Sequence, residues 1–270
     1  MKKRIKFLSL IMALCMTVAA FTACGSSKED WEYIEEQGKL VIGYTLFKPM
    51  NYQENGELIG FDTEFAQAVT EELGVTPEFI EINWDTKITE LKSKKIDVIW
   101  NGFTMTEKLA EEVDFTMPYL VNKQVAVVQK SKLEQYKTIE DLAKGKITAE
   151  AKSAGEKAVQ SEEKLKDAEY NSVGLQTDVL IEIKSGTSDV GVIDYTMAKA
   201  MLQNETDYSD LAIVEGIELA PEEYGIGFRK NSPKTLEKVN QAIEKLAESG
   251  KLAEIAEKYG LTEQLADNLQ

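Results

Sequence analysis

The sequence predicts an α/β protein built from two lobes, with mixed sheets and two hinge crossings between them. Short apolar runs alternate with helical patterns between residues 39 and 102, as in layered α/β folds. A similar alternation follows at 146–202. Extended segments at 124–128 and 224–228 join the two blocks. Two joining segments imply that the chain enters a second lobe and then returns to the first.

The individual elements follow from hydrophobic periodicity, taken in chain order. In the first block we expect a turn at 54–57, helices at 62–73 and 84–94, and strands at 39–43, 77–82 and 96–100. In the second block we expect strands at 146–149 and 189–194, and helices at 154–165, 179–184 and 195–202. The last two helices, at 233–249 and 252–259, should return to the first lobe.

The composition excludes several classes of function. The chain of 270 residues has 47 acidic and 31 basic side chains, a formal net charge of −16, no histidine and two cysteines. Nucleic acid is an unfavourable partner, because neutralising phosphates requires an excess of cations. Without histidine the chain has no histidine-ligated metal or histidine base, and two cysteines cannot form a cysteine-rich zinc site. We therefore expect no metal and no cofactor.

The N-terminus has the order of a signal peptide, with four basic residues before an apolar run that extends from Phe7 to Phe21. Small residues then precede Cys24, which resembles the lipobox of bacterial lipoproteins, although Phe21 stands where leucine is usual. The resemblance implies a signal peptide at 1–23, a lipid on Cys24, and a tether at 24–37 that ends in a short helix. The protein should then be anchored to the cell membrane on its extracytoplasmic face. The alternative is an ordinary signal peptide with an incidental cysteine.

Short motifs follow one another along most of the mature chain. They are Gly60-Phe61-Asp62, Lys95-Ile96-Asp97, Thr104-Met105-Thr106, 113–119, 185–189, Ile193-Asp194 and 224–230. In this order and spacing the chain resembles the extracellular solute-binding proteins of ABC transporters, in the polar amino acid group, family 3. The variants at 100–102 and 223–230 are similar to a lipoprotein subgroup common in Gram-positive anaerobes.

The resemblance implies a type II periplasmic-binding-protein-like fold. The first lobe would comprise 38–124 and 224–270, and the second lobe 125–223. The protein would be a monomer that closes on a small solute, above all an amino acid, by hinge motion. It would deliver the solute to a membrane permease driven by an ATPase. The chain itself should not be an enzyme, and it has no glycine-rich lysine loop for ATP.

The resemblance also places solute-binding residues in the first lobe. Phe47 would stack on the solute and Trp84 would form a second aromatic wall, although both positions also suit core aromatics. Asn101, Gly102 and Thr104 would receive the charged ends of the solute through backbone and hydroxyl groups, although Thr104 could merely cap a turn.

In the second lobe, the resemblance makes Asp194 the carboxylate that receives an α-ammonium group. The same position suits a helix N-cap. Ser153 and Ala154 begin a helix whose N–H groups would bind a carboxylate. Glu150 lies just upstream and can face the cleft.

Two departures from the family pattern concern both ends of an amino acid. Leu109 occupies the position of the arginine that clamps the α-carboxylate, with Lys108 beside it, and Tyr44 replaces an aspartate of the first strand. Removal of the signal peptide leaves Arg229 as the only arginine. With Glu150 and Asp194 in the cleft, we expect a preference for cationic solutes. A cationic amine is therefore an alternative to an amino acid, and an enzyme resembling cyclohexadienyl dehydratases is a third, less suited hypothesis.

Overall fold

The computed structural model describes residues 30–203 and 206–270. The helices and strands of its first part are α1 Asp30–Gln37, β1 Lys39–Tyr44, β2 Tyr52–Glu54, β3 Glu57–Ile59, α2 Phe61–Leu73, β4 Thr76–Glu81, α3 Lys87–Lys92, β5 Val98–Ile99, α4 Glu107–Ala110 and β6 Val113–Phe115. Its middle part contains β7 Leu120–Gln129, α5 Ile139–Leu142, β8 Ile147–Glu150, α6 Ala154–Ser161, β9 Tyr170–Val173, α7 Gln176–Ser185, β10 Val190–Asp194, α8 Tyr195–Met201 and β11 Leu211–Tyr224. The last elements are β12 Gly227–Arg229, α9 Pro233–Glu248 and α10 Lys251–Lys258.

Two five-stranded sheets form the centres of the two lobes. The strand order is β4-β1-β5-β12-β6 in the first sheet and β11-β7-β10-β8-β9 in the second. In the first sheet β1 is parallel to β4 and β5, whereas β12 is antiparallel to β5 and β6. The chain passes to the second sheet between β6 and β7 and returns between β11 and β12. The predicted two-lobe α/β fold, with mixed sheets and two crossings, is confirmed.

The strands β7 and β11 connect the lobes and pair along most of their length. Their antiparallel register extends from Leu211 opposite Gln129 to Tyr224 opposite Leu120. The predicted lobe boundary between residues 124 and 125 therefore falls inside β7, because pairing with β11 continues to Leu120. Polar side chains on these two strands are thereby brought next to each other although about 100 residues separate them in sequence.

Helix α1 packs on the first lobe. Its Trp31 and Ile34 are buried in the main hydrophobic core. Its first residue, Asp30, accepts a hydrogen bond from Arg229 Nε at 2.8 Å. The short helix expected at the end of the 24–37 segment is therefore present as these eight residues, and its apolar face packs on the core.

Two predicted helices differ from the structure at their ends. The helix predicted at 84–94 begins as a 3-10 turn, Trp84–Thr86, because the side chain of Asn83 accepts a hydrogen bond from Asp85 N. The helix predicted at 154–165 ends at Ser161, and the turn that follows carries Leu165 into the second-lobe core. Within the described part of the chain, no helix is both long and apolar enough to cross a membrane.

Candidate functional site

A small cavity of about 20 Å³ lies between the two lobes. All nine residues predicted to bind the solute line it, and Thr45 and Gln176 join them. Its lining residues are Thr45, Phe47, Trp84, Asn101, Gly102, Thr104, Glu150, Ser153, Ala154, Gln176 and Asp194. They come from the segments that follow β1, β4, β5, β8 and β9 and from the ends of β8 and β10. This agrees with the rule that ligands bind beyond the carboxyl ends of strands in open α/β sheets.

The first lobe supplies the aromatic part of the wall. Phe47 follows β1 in a tight turn closed by a hydrogen bond from its N–H to Asn51 O at 2.8 Å. Trp84 contacts Phe103 edge to face, with ring centroids 5.6 Å apart. Both rings also belong to hydrophobic core clusters. Phe47 and Trp84 therefore both pack in the core and line the cavity.

Asn101 is a structural residue at the floor of the cavity. Its Oδ1 accepts hydrogen bonds from the N–H and O–H of Thr45, at 3.1 and 2.6 Å. Its Nδ2 donates to Thr45 O and to Asn51 Oδ1, at 2.9 and 2.7 Å. Both polar atoms of its side chain are therefore engaged within the protein, where they fix the loop that carries Phe47. Binding of the solute by the backbone of Asn101 stays a prediction.

The N–H of Gly102 is likewise engaged, because it donates to Asp62 Oδ2 at 2.7 Å. Tyr119 donates its O–H to the same oxygen at 3.1 Å. Gly102 has φ +54°, and a Cβ there would lie 2.6 Å from the Phe47 ring. Glycine is thus required for the turn and for its close approach to Phe47. Burial raises the pKa of Asp62 to about 7, against the opposing effect of these hydrogen bonds.

The second lobe supplies the acidic part of the wall, with Asp194 at its centre. The side chain makes no capping hydrogen bond to α8, so the alternative role as a helix cap is not observed. Four protein groups donate to its carboxyl oxygens: Asn122 Nδ2 at 2.6 Å, Gln124 Nε2 at 2.8 Å, the Tyr224 O–H at 2.6 Å, and Gln176 Nε2 at 2.5 Å. These donors fix the orientation of the carboxyl group before any solute arrives.

Glu150 is the second acid of the wall and is 4% exposed. Burial and the nearby Asp194 raise the pKa of Glu150 to about 8, partly offset by Lys87 and by a hydrogen bond with Gln176. Burial also lowers the pKa of Lys87 to about 8. The Lys87 ammonium lies over the Trp84 ring, 4.4 Å from its centroid. The charge of Glu150 therefore has a cationic neighbour inside the protein.

Helix α6 begins at the cavity and forms its electropositive corner. Ser153 caps the helix by accepting a hydrogen bond from Glu156 N at 3.1 Å. The N–H groups of the first helical residues, Ala154 and Gly155, have no acceptor within the helix and suit an anion. Lys152, just before the cap, has φ 55°, in the left-handed region that favours glycine. Its Nζ pairs with Asp85 Oδ1 at 2.5 Å, which joins the two lobes beside the cavity.

The comparisons with known proteins agree with this geometry. The family of bacterial extracellular solute-binding proteins, family 3, matches residues 40–262. The chain belongs to this family. Arginine-binding extracellular protein ArtP from Bacillus subtilis is 30% identical over 258 residues, which cover 94% of this chain and 97% of that protein.

Two solved structures support the same assignment. A mutant of ArgBP from T. maritima has a TM-score of 0.79 at 33% identity, covering 86% of this chain and 99% of that one. A substrate-binding protein of an ABC uptake transporter from Streptococcus pneumoniae, with bound histidine, has a TM-score of 0.80 at 30% identity, covering 87% and 97%. The expected family and its type II fold are confirmed, and the family and these relatives are transport-binding proteins.

The structure shows where this family-3 protein departs from the family pattern. Leu109 packs against a hydrophobic cluster of the first lobe, and Lys108 is exposed on α4 and does not line the cavity. Tyr44 is buried against Phe79, with ring centroids 6.2 Å apart. Arg229 binds Asp97 at 2.8 Å and is not part of the cavity. No arginine in the described residues is available to clamp a carboxylate.

The sequence analysis did not predict several residues of the site. Gln176 begins α7 and bridges Asp194 with both its amide atoms. Asn122 and Gln124 lie two residues apart on β7, as Glu222 and Tyr224 do on β11, so each pair faces one side of its strand. Polar residues at alternate positions of two strands that were expected to join the lobes were the signal that could have found them.

Proposed function

We propose that this protein captures a basic amino acid, with arginine as the best candidate, for an ABC importer. The observation that carries this proposal is the charge of the cavity. Two buried carboxyl groups, Glu150 and Asp194, line it together with two aromatic faces, Phe47 and Trp84. Aromatic faces attract cations, and buried carboxylates favour them further. An arginine-binding relative and a structure with bound histidine support a solute of this kind.

Each end of such a solute has a place in the cavity. The α-ammonium group would bind Asp194, and the α-carboxylate would bind the N–H groups at the start of α6. The cationic side chain would lie between Phe47 and Trp84, near Glu150. This arrangement replaces the missing arginine clamp by the helix N-terminus, which holds an anion without a cationic side chain.

A cationic amine is the second candidate, and Leu109 is the observation that favours it. Without the arginine at that position, the α-carboxylate loses its strongest partner. The enzymatic alternative, a dehydratase acting on a dianion, is not favoured, because the cavity carries carboxyl groups where a dianion would need cations.

The remaining parts of the proposal concern the cell surface. The protein would act as a monomer, anchored outside the cytoplasmic membrane through a lipid on Cys24, and would deliver its solute to a permease and its ATPase. Cys24 and the signal peptide at 1–23 lie outside the described residues. If Cys24 carries the lipid, Cys24→Ala should release the protein from the membrane fraction or leave the precursor uncleaved. Retention of labelled palmitate in the variant would contradict this.

Calorimetric titration of the mature protein with one cationic and one anionic amino acid tests the solute class. Arginine should bind, whereas glutamate and aspartate should not, and the difference should shrink at higher salt. Putrescine distinguishes the amine from the amino acid, because it lacks a carboxylate. At a hundred times its dissociation constant, the cognate solute should add about 2.7 kcal/mol to the free energy of unfolding. Binding of glutamate without arginine would refute the proposal.

A further inference from the structure

A third acid, the half-buried Glu222, lies directly behind the cavity. It belongs to β11, opposite Asn122 of β7, whereas Asp194 of β10 lies opposite Gln124 of the same strand. The two acids therefore flank β7 from both sides. Both amide groups of β7 donate to both acids, since Asn122 Nδ2 and Gln124 Nε2 each reach Asp194 Oδ1 and Glu222 Oε1.

The same two amide nitrogens thus hydrogen-bond to both carboxyl groups, which places Asp194 Oδ1 and Glu222 Oε1 close to each other. Two ionised carboxylates repel at such a distance, so one proton between them is the stable state unless a cation is near. No lysine or arginine of the described residues forms an ion pair with Asp194 or Glu222. Glu150 differs in this respect, because Lys87 is its neighbour. The pair has no internal cation, and its neutralising charge must come from a proton or from the solute.

We propose that Asp194 and Glu222 share one proton in the absence of solute, and that an ammonium group of the solute replaces this proton when it binds Asp194. The released proton goes to solvent, and no covalent bond changes. The inference rests on the proposed function, since it requires a solute with an ammonium group in the cavity. Glu222 does not line the cavity and is a positioning residue that acts through Asp194 and Thr104.

The contacts of Glu222 support such a role. Thr104 lines the cavity and donates its O–H to Glu222 Oε2 at 3.0 Å. Glu222 thus joins a cavity residue of the first lobe to the acidic wall of the second. Burial and the nearby Asp194 raise the pKa of Glu222 well above its usual range. The other titratable or charged groups around the network are Lys87, Glu150, Asp178, Tyr224 and the pair of Asp85 with Lys152.

The proton is counted by calorimetry with arginine as the probe, in buffers of different ionisation enthalpy at pH 7. The wild-type protein should release about one proton more per bound arginine than Glu222→Gln, and its affinity should rise more steeply between pH 6 and 8, by up to about tenfold per pH unit relative to that variant. Any proton that Glu150 releases is common to both proteins, and Glu222→Asp should restore the wild-type release and pH dependence. Glu223→Gln is the matched control, because Glu223 is exposed on the opposite face of β11 and should behave like the wild type.

Arginine binding without proton release by the wild type would overturn this inference and leave the proposed function intact. If arginine does not bind at all, the proposed function fails, and urea unfolding without solute still tests the pair. An acid whose pKa is higher in the folded than in the unfolded protein stabilises the fold fully at a pH below its unfolded pKa. This stabilisation is lost as the pH rises through the folded pKa. Wild type should therefore lose stability above pH 5 more steeply than Glu222→Gln. Equal pH dependence of the two proteins would overturn the shared proton.

Discussion

The two lobes bring different chemistry to one cavity. The first lobe presents aromatic rings over a floor whose hydrogen bonds are already complete, as Asn101 and Gly102 show. One of its buried acids, Asp62, does not line the cavity and accepts the hydrogen bond that fixes the Gly102 turn. The second lobe presents Asp194, which forms no ion pair with a lysine or arginine of the described residues, and Glu150, whose cationic neighbour Lys87 comes from the first lobe. The Asp62 carboxyl group therefore supports the site from behind, whereas the two carboxyl groups of the second lobe line the cavity and are suited to recognise the solute.

The largest effect is expected for Asp194→Asn, which removes the central acid of the second lobe. Arginine affinity should fall by more than tenfold, or about 1.4 kcal/mol, because an amide cannot balance the ammonium charge. Calorimetry measures the change, and Glu215→Gln, an exposed acid on β11, is the control. An unchanged affinity would show that the acidic wall does not receive the solute.

An intermediate effect is expected for Phe47→Leu in the aromatic wall. Losing one cation–π contact of about 1 kcal/mol should weaken arginine binding about fivefold. Citrulline, which has the shape of arginine without its charge, should lose less. Phe79→Leu removes a ring of the same lobe that packs on Tyr44, away from the cavity, and should leave the ratio of the two affinities unchanged. An equal loss for citrulline would mean that Phe47 contributes only packing.

The smallest effect on binding is expected for Asp62→Asn, because this acid does not line the cavity. Its effect should appear in the stability of the protein. The folded pKa of about 7 exceeds the ordinary value of 3.8, so the group's stability contribution is present below about pH 4 and is lost as pH rises through about 7. Urea unfolding at pH 4.5 and 7.5 should show the variant gaining stability relative to the wild type. A constant difference between the two proteins would contradict the assignment.

Most of the fold could be predicted from local patterns, and the location of the site could be predicted from the resemblance to the family. Residues at the carboxyl ends of strands, such as Phe47 and Asp194, are expected to meet in any fold of this class. The functions of Asn101 and Gly102 were not predictable, since their partners, Thr45 and Asp62, lie tens of residues away. Glu222 was missed for the same reason, because only the register of β11 with β7 places it beside Asp194.

Helix α1 determines which lobe a membrane anchor would hold. Asp30 joins Arg229 and Ser232 of the first lobe, and Arg229 also binds the carbonyl oxygens of Leu91 and Ile96. A chain pulled from its N-terminus would load the first lobe and leave the second free to rotate about the crossings. The first lobe would then stay fixed relative to the membrane, and the second lobe would change its orientation when a solute is bound. A permease could then distinguish loaded from empty protein by the angle between two rigid surfaces, without contacting the solute.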